Sequence, residues 1–126
     1  MTLDNALRHA NGLVAGQPDG FAVSRSETGF VLTEAGDLRT PRELRISLEP
    51  ADPLSGTGAT RELAGRSVRH RVDELGAGSA GSEFELTLSW PCAAAYCVVH
   101  AFEQSERGTP AFEWAWSEAA RVHLAE

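Results

Sequence analysis

The stretch Gly76-Ala-Gly-Ser-Ala-Gly-Ser-Glu83 separates two runs in which apolar and polar residues alternate. The run before it is Arg66-Ser-Val-Arg-His-Arg-Val72, and the run after it is Phe84-Glu-Leu-Thr-Leu-Ser-Trp90. Alternation with a period of two is typical of β-strands. Glycine and small residues allow tight turns and close approach to another surface. The sequence therefore predicts a loop over 76–83 between two strands, serving either as a flexible connection or as a contact surface.

Further strands are predicted on both sides of these two. The same alternation indicates strands over 21–25, 30–33, 44–48 and 96–102, most of them bounded by turn residues. The turn Pro91-Cys-Ala-Ala-Ala95 makes the strands at 84–90 and 96–102 a hairpin.

Two helices are predicted at the ends of the chain. Near the N-terminus, apolar residues recur at helical spacing at Leu3, Ala6, Leu7, Ala10 and Leu13. Near the C-terminus, Thr109-Pro110 is a helix-start signal, although alternation of Phe112, Trp114 and Trp116 also fits a strand. We expect a single domain over 1–126 with an α+β fold. It would be an antiparallel sheet of about six strands, sandwich-like, with the N- and C-terminal helices packed on it.

The overall charge excludes some classes of partner. The chain carries a formal net charge of −7, and phosphate binding needs concentrated positive charge. Nucleic acid and anionic membranes are therefore not expected partners. No run is long and apolar enough to span a membrane.

The two cysteines, Cys92 and Cys97, have a C-x4-C spacing that matches neither a redox motif nor a zinc knuckle. Across a tight turn they can form a disulfide in an oxidising compartment, or they can remain two half-buried thiols. The sequence leaves both states open.

No catalytic constellation is evident. Ser79 lacks the spacing and the strand–turn–helix context of a nucleophile elbow. The four histidines are scattered, although His70 and His100 could be neighbours on adjacent strands. Glu103 and Glu106 share a loop and could in principle serve acid–base chemistry, but a solvated turn explains them better. We expect neither a metal site nor a cofactor of the protein's own.

Two polar loops, 76–83 and 103–108, adjoin the same end of the predicted hairpin. They should therefore form one acid-rimmed surface that could bind a partner. The predicted partner-binding residues are Gly76, Gly78, Ser79, Gly81, Ser82, Glu83, Gln104, Ser105 and Glu106.

The chain resembles the periplasmic immunity protein family that neutralises a type VI secreted muramidase. The resemblance follows the chain in order through Gln17-Pro-Asp-Gly-Phe21, Gly29-Phe-Val-Leu32, Pro41-Arg-Glu-Leu-Arg-Ile46, Gly78-Ser-Ala-Gly-Ser-Glu83, Gln104-Ser-Glu106 and Thr109-Pro-Ala-Phe-Glu-Trp-Ala-Trp116. It implies a non-enzymatic inhibitor that blocks the substrate cleft of a peptidoglycan hydrolase and protects the producing cell.

The resemblance also implies a periplasmic location and a native export or lipoprotein segment, the latter giving a lipid-anchored form. The effector would need calcium, bound by the effector itself or at the interface. The alternative is a non-catalytic adaptor of an α/β/α sandwich type, which docks onto another protein.

Overall fold

The computed structural model describes residues 6–36, 40–78 and 81–125. In these residues the chain forms ten strands and one helix. The strands are β1 (Leu7–Arg8), β2 (Leu13–Ala15), β3 (Phe21–Arg25), β4 (Gly29–Glu34), β5 (Glu43–Glu49), β6 (Ala59–Leu63), β7 (Arg66–Gly78), β8 (Gly81–Cys92), β9 (Ala95–Ser105) and β10 (His123–Leu124). The helix α1 (Glu113–Ala119) lies between β9 and β10.

Seven strands form one antiparallel sheet in the order β3-β4-β5-β9-β8-β7-β6. The long hairpin of β8 and β9 runs through its middle, from the Cys92–Ala95 pair at the turn to the Ser82–Ser105 pair at the far end. The predicted hairpin is thus confirmed, and it is longer than the alternation alone indicated. The strands predicted over 21–25, 30–33 and 44–48 are confirmed as β3, β4 and β5.

One face of this sheet carries the hydrophobic core, because apolar residues alternate along each central strand. Helix α1 and β2 cover that face with buried residues of their own. The core includes Phe30, Leu44, Ile46, Leu86, Leu88, Trp90 and Val99 from the sheet, and Leu13, Phe112, Ala115, Trp116 and Ala119 from the covering elements. The opposite face of the sheet is more polar and contains the charged pairs described below.

The predicted N-terminal helix is wrong for the residues that the structure describes. Leu7 and Leu13 instead lie in β1 and β2, which form a small three-stranded sheet with β10. Gly12 has a φ of 96°, and the Asn11 side chain accepts a hydrogen bond from the Leu13 amide at 3.0 Å. This turn breaks the helical pattern. Leu3 lies outside the described residues.

The predicted C-terminal helix is confirmed, and the competing strand is wrong. The helix starts later than the Thr109-Pro110 signal predicted. The helix begins at Glu113, after Phe112 in the left-handed region with a φ of 56° and without a side-chain cap. Among the described residues, no helix is long and apolar enough to cross a membrane, since α1 has only seven residues.

The predicted α+β fold is wrong, because the described residues form mostly β structure in two sheets with one short helix. The α/β/α architecture of the alternative is wrong for the same reason.

The loop predicted over 76–83 is also wrong. β7 continues to Gly78 and β8 begins at Gly81, so the glycine-rich stretch is mostly paired strand. The partner strands impose this pairing even though glycine has a low intrinsic β propensity. β9 likewise extends through Ser105 into the predicted loop over 103–108.

Candidate partner-binding site

The two segments that the sequence assigned to partner binding lie side by side at one end of the large sheet. Ser82 is directly opposite Ser105, and Glu83 is directly opposite Gln104. On the other side of β8, Gly76 pairs with Glu83. The juxtaposition is therefore made by hydrogen-bonded strands, which fix it more firmly than two loops could.

At this end of the large sheet, the backbone requires glycine at residue 81 but not at residue 76. Gly81 pairs with Gly78 and has a φ of 94°, which side chains other than glycine rarely adopt. Gly76 has open space around the position of a Cβ, with no atom within 4 Å. Ser79 lies outside the described residues.

Polar and acidic groups form the surface of the strand ends. Gln104 and Glu106 are exposed, whereas Ser82, Glu83 and Ser105 are half-buried. The Ser105 hydroxyl accepts a hydrogen bond from the Arg107 amide at 3.2 Å, which orders the turn after β9. The described end thus presents hydrogen-bonding groups and two carboxylates to a partner.

The neighbouring edge of the sheet adds apolar surface that the sequence pattern did not reveal. β6 pairs only with the first part of β7, from Arg66 to His70. Beyond that point β7 has no described strand on its outer side. Two large apolar side chains are exposed there, Val72 at 38% and Leu75 at 49%, and Leu75 sits at a β-bulge. Bulges commonly protect an open edge from pairing with other chains.

The polar face of the sheet contains two ion pairs and one histidine–carboxylate contact near this end. Arg71 Nε lies 2.9 Å from Asp73 Oδ2, and Arg45 Nε lies 2.7 Å from Glu43 Oε2. Between them, His100 Nδ1 lies 3.1 Å from Glu85 Oε2. The carboxylates Asp73 and Glu85 are directly opposite each other on adjacent strands. The Arg71 guanidinium beside Asp73 offsets part of the repulsion that two facing carboxylates would otherwise produce.

The structure does not assemble the catalytic alternatives. The Glu103 carboxylate accepts a hydrogen bond from Trp114 Nε1 at 2.8 Å and so faces the helix, while Glu106 is exposed in the next turn. His70 contacts Trp116 on the core face, whereas His100 pairs with Glu85 on the other face. They are not on adjacent strands, because β8 separates β7 from β9. No three acidic, histidine or cysteine side chains in the described residues could hold a metal ion together.

Comparison with known proteins identifies the class of protein. Residues 15–122 match the Type six secretion immunity 3 domain, so the chain belongs to this family of type VI secretion immunity proteins. It is 43% identical over 121 residues to the immune protein Tsi3 of Pseudomonas aeruginosa, an alignment that covers 96% of this chain and 83% of that protein. Immunity proteins bind a cognate secreted effector, and membership suggests a non-enzymatic role.

Proposed function

We propose that this immunity protein acts in the periplasm, where it binds a secreted muramidase and occludes the enzyme's substrate cleft. The observation that carries the proposal is the direct pairing of Ser82 with Ser105 and of Glu83 with Gln104. This pairing turns two separate stretches of sequence into one continuous polar surface at the end of a rigid sheet.

The shape of this end suits insertion into a groove. Three neighbouring strand ends, those of β7, β8 and β9, span about 10 Å at the usual spacing between strands. Because backbone hydrogen bonds already order the strands, binding would lose little conformational entropy. A rigid wedge of this width can fill a cleft that holds a glycan chain, and it needs no chemistry of its own.

The chemistry of the end suits a polar cleft. Serine hydroxyls and the Gln104 amide can replace the hydrogen bonds that a sugar makes, and the Glu83 and Glu106 carboxylates can meet cationic groups. In this proposal calcium is bound either by the effector or at the interface between the two proteins. Carboxylate and amide oxygens are the ligands that this ion prefers.

The test measures how this immunity protein inhibits the hydrolysis of peptidoglycan that the purified muramidase catalyses in the presence of calcium. We expect the protein to raise the apparent KM for a soluble glycan substrate and to leave kcat unchanged, because substrate and inhibitor would compete for one cleft. Glu106→Arg should weaken inhibition at least about tenfold, since it places a bulky cation on the binding surface.

Glu62→Arg is the matched control, because Glu62 is also an exposed glutamate and the charge change is the same. It lies on β6, away from the strand ends, and should inhibit like the native protein. Equal loss in both variants would show that only net charge matters. Binding without any change in hydrolysis would reject cleft occlusion.

A further inference from the structure

The two cysteines occupy the turn end of the β8–β9 hairpin. Cys92 is opposite Ala95 in the last pair before the turn, and Cys97 is opposite Trp90 two residues further along. Side chains two residues apart on a strand point to the same face, so Cys92 and Cys97 are diagonal neighbours on one face. The hairpin thus brings the two cysteines close together, although their spacing in the sequence matches no zinc or redox motif.

The two thiols are neighbours but are not bonded to each other, because both cysteines are free. The Cys92 thiol is close enough to contribute to the raised pKa of Cys97. Cys97 is fully buried in the core, whereas Cys92 is partly exposed. A soluble reagent therefore reaches Cys92 first, because the Cys97 thiol is not accessible to solvent.

The turn between the two cysteines is conformationally strained. It contains only Ala93 and Ala94, and Ala93 has a φ of 55°. The left-handed region costs a residue with a Cβ about 1 kcal/mol or more. A cross-link between the strands would hold this turn in place by restricting the open conformations of the hairpin.

We propose that Cys92 and Cys97 form a dithiol site that a disulfide-bearing oxidant converts into an intramolecular disulfide, locking the turn end of the hairpin. In the first step the Cys92 thiolate attacks one sulfur of the oxidant, forming a mixed disulfide and releasing one thiol. In the second step Cys97 loses its proton and attacks the Cys92 sulfur, and the second thiol leaves. Two electrons and two protons pass to the oxidant, which becomes two thiols.

The order of the steps follows from the surroundings of the two sulfurs. Burial raises the pKa of the Cys97 thiol, and the neighbouring Cys92 thiol adds to the increase. Since the thiolate is the nucleophile, Cys97 is the slower of the two to react. The second step, in which Cys97 attacks the Cys92 sulfur, should therefore limit the rate, and it should accelerate as the pH rises.

This site does not rest on the proposed function. Cys92 follows Ser82 by ten positions along β8, a distance of about 33 Å along an extended strand. Closure of the disulfide should leave inhibition of the effector unchanged. A variant of the strand ends that no longer inhibits the effector would therefore test the proposed binding surface, and it would say nothing about the disulfide.

The test treats the folded, reduced protein with oxidised glutathione and follows free thiols and intact mass. We expect both thiols to disappear, the mass to fall by about two hydrogens, and the thermal midpoint to rise by about 2–6 °C. In Cys97→Ala the same reagent should instead leave a stable glutathione adduct on Cys92. Cys92→Ala should resist modification in the folded state, because its remaining thiol is buried.

Three results would overturn the proposal. The first is a native protein that keeps both thiols under conditions in which the urea-unfolded chain oxidises. The second is a native protein that retains the glutathione adduct on Cys92. The third is an oxidised protein with a lower thermal midpoint than the reduced one, because it would show that the bond distorts the hairpin. All three measurements use the native sequence, so they do not depend on whether a variant folds.

Discussion

The backbone of Gly81 approaches Ser105 so closely that a Cβ at residue 81 would lie 2.4 Å from the Ser105 carbonyl oxygen. The φ of Gly81 is itself in a region that other residues rarely adopt. The start of β8 and the end of β9 are therefore in direct backbone contact. The proposed binding surface depends on this contact, because it brings the two polar segments together.

Gly81→Ala should destabilise the protein by about 2 kcal/mol and weaken effector inhibition. The added methyl group would meet backbone atoms, which cannot rotate away, so the strand end must shift. Urea denaturation measures the first effect, and inhibition of hydrolysis measures the second. Gly76→Ala is the control for stability on the paired strand, because its Cβ would enter open space. A similar loss of stability in both variants would show that local flexibility matters, and not the contact with Ser105.

Arg66→Met should lower the free energy of unfolding by about 3 kcal/mol. The Arg66 guanidinium donates to the carbonyl oxygen of Ala119, the last residue of α1, at 3.0 Å, and to that of Val122 at 2.6 Å. It also lies 4.3 Å from the Trp90 ring centre. No basic residue occupies the last turn of α1, so Arg66 provides the positive charge that the helix C-terminus favours. Urea denaturation with an unchanged m-value measures the loss.

Arg66→Lys should recover only part of this stability, because an ammonium keeps the charge but cannot bridge two carbonyls while stacking on an indole. If lysine restored the full native stability, charge alone would explain the role of Arg66. If methionine cost nothing, the contact with α1 would be energetically irrelevant.

Arg42→Lys should cost about 1 kcal/mol near neutral pH, and less in acid. Arg42 donates through Nε and Nη2 to both oxygens of Glu34, at 3.1 and 2.8 Å, and its guanidinium lies 4.7 Å from the Trp114 ring centre. The hydrogen bond with Arg42 lowers the pKa of Glu34 below 4.5. This contribution is therefore present above pH 4.5 and disappears as the pH falls through the folded-state pKa.

Denaturation of native protein and Arg42→Lys at several pH values tests this prediction. The difference in unfolding free energy between the two proteins should shrink below about pH 4.5. A difference that stays constant would assign the cost to lost stacking on Trp114 and not to Glu34.

Local alternation was sufficient to predict the central strands, because each of them buries one face against the same core. It failed at the N-terminus for a nonlocal reason. Leu13 and its neighbours in β2 are buried and pair with β10, which lies more than a hundred residues away in the sequence. A pattern of five apolar residues at helical spacing cannot reveal that pairing, and tertiary contacts override so short a signal.

The sequence predicted that the two polar segments lie together, but not the structure that they adopt. The hairpin implied that the segments over 76–83 and 103–108 would adjoin the same end, and in the structure Glu83 is opposite Gln104. The composition of the stretch indicated a loop, because glycine and serine have weak strand propensity, whereas the flanking strands continue through it. The exposure of Leu75 could not be predicted, since it depends on where β6 ends.

His70→Phe should reduce the loss of stability that the native protein shows between about pH 7.5 and pH 5.5. Burial lowers the pKa of His70 below 6.5, and the nearby charge of Arg61 lowers it further. Below pH 6.5 the unfolded chain therefore binds a proton that the folded protein resists, so stability falls as the pH decreases. Phenylalanine cannot titrate, and it can keep the edge-on contact with Trp116, now at 5.3 Å between ring centres. Thermal midpoints across this range measure the effect, with His123→Phe as the control at an exposed histidine. An unchanged slope in His70→Phe would place the proton uptake elsewhere in the protein.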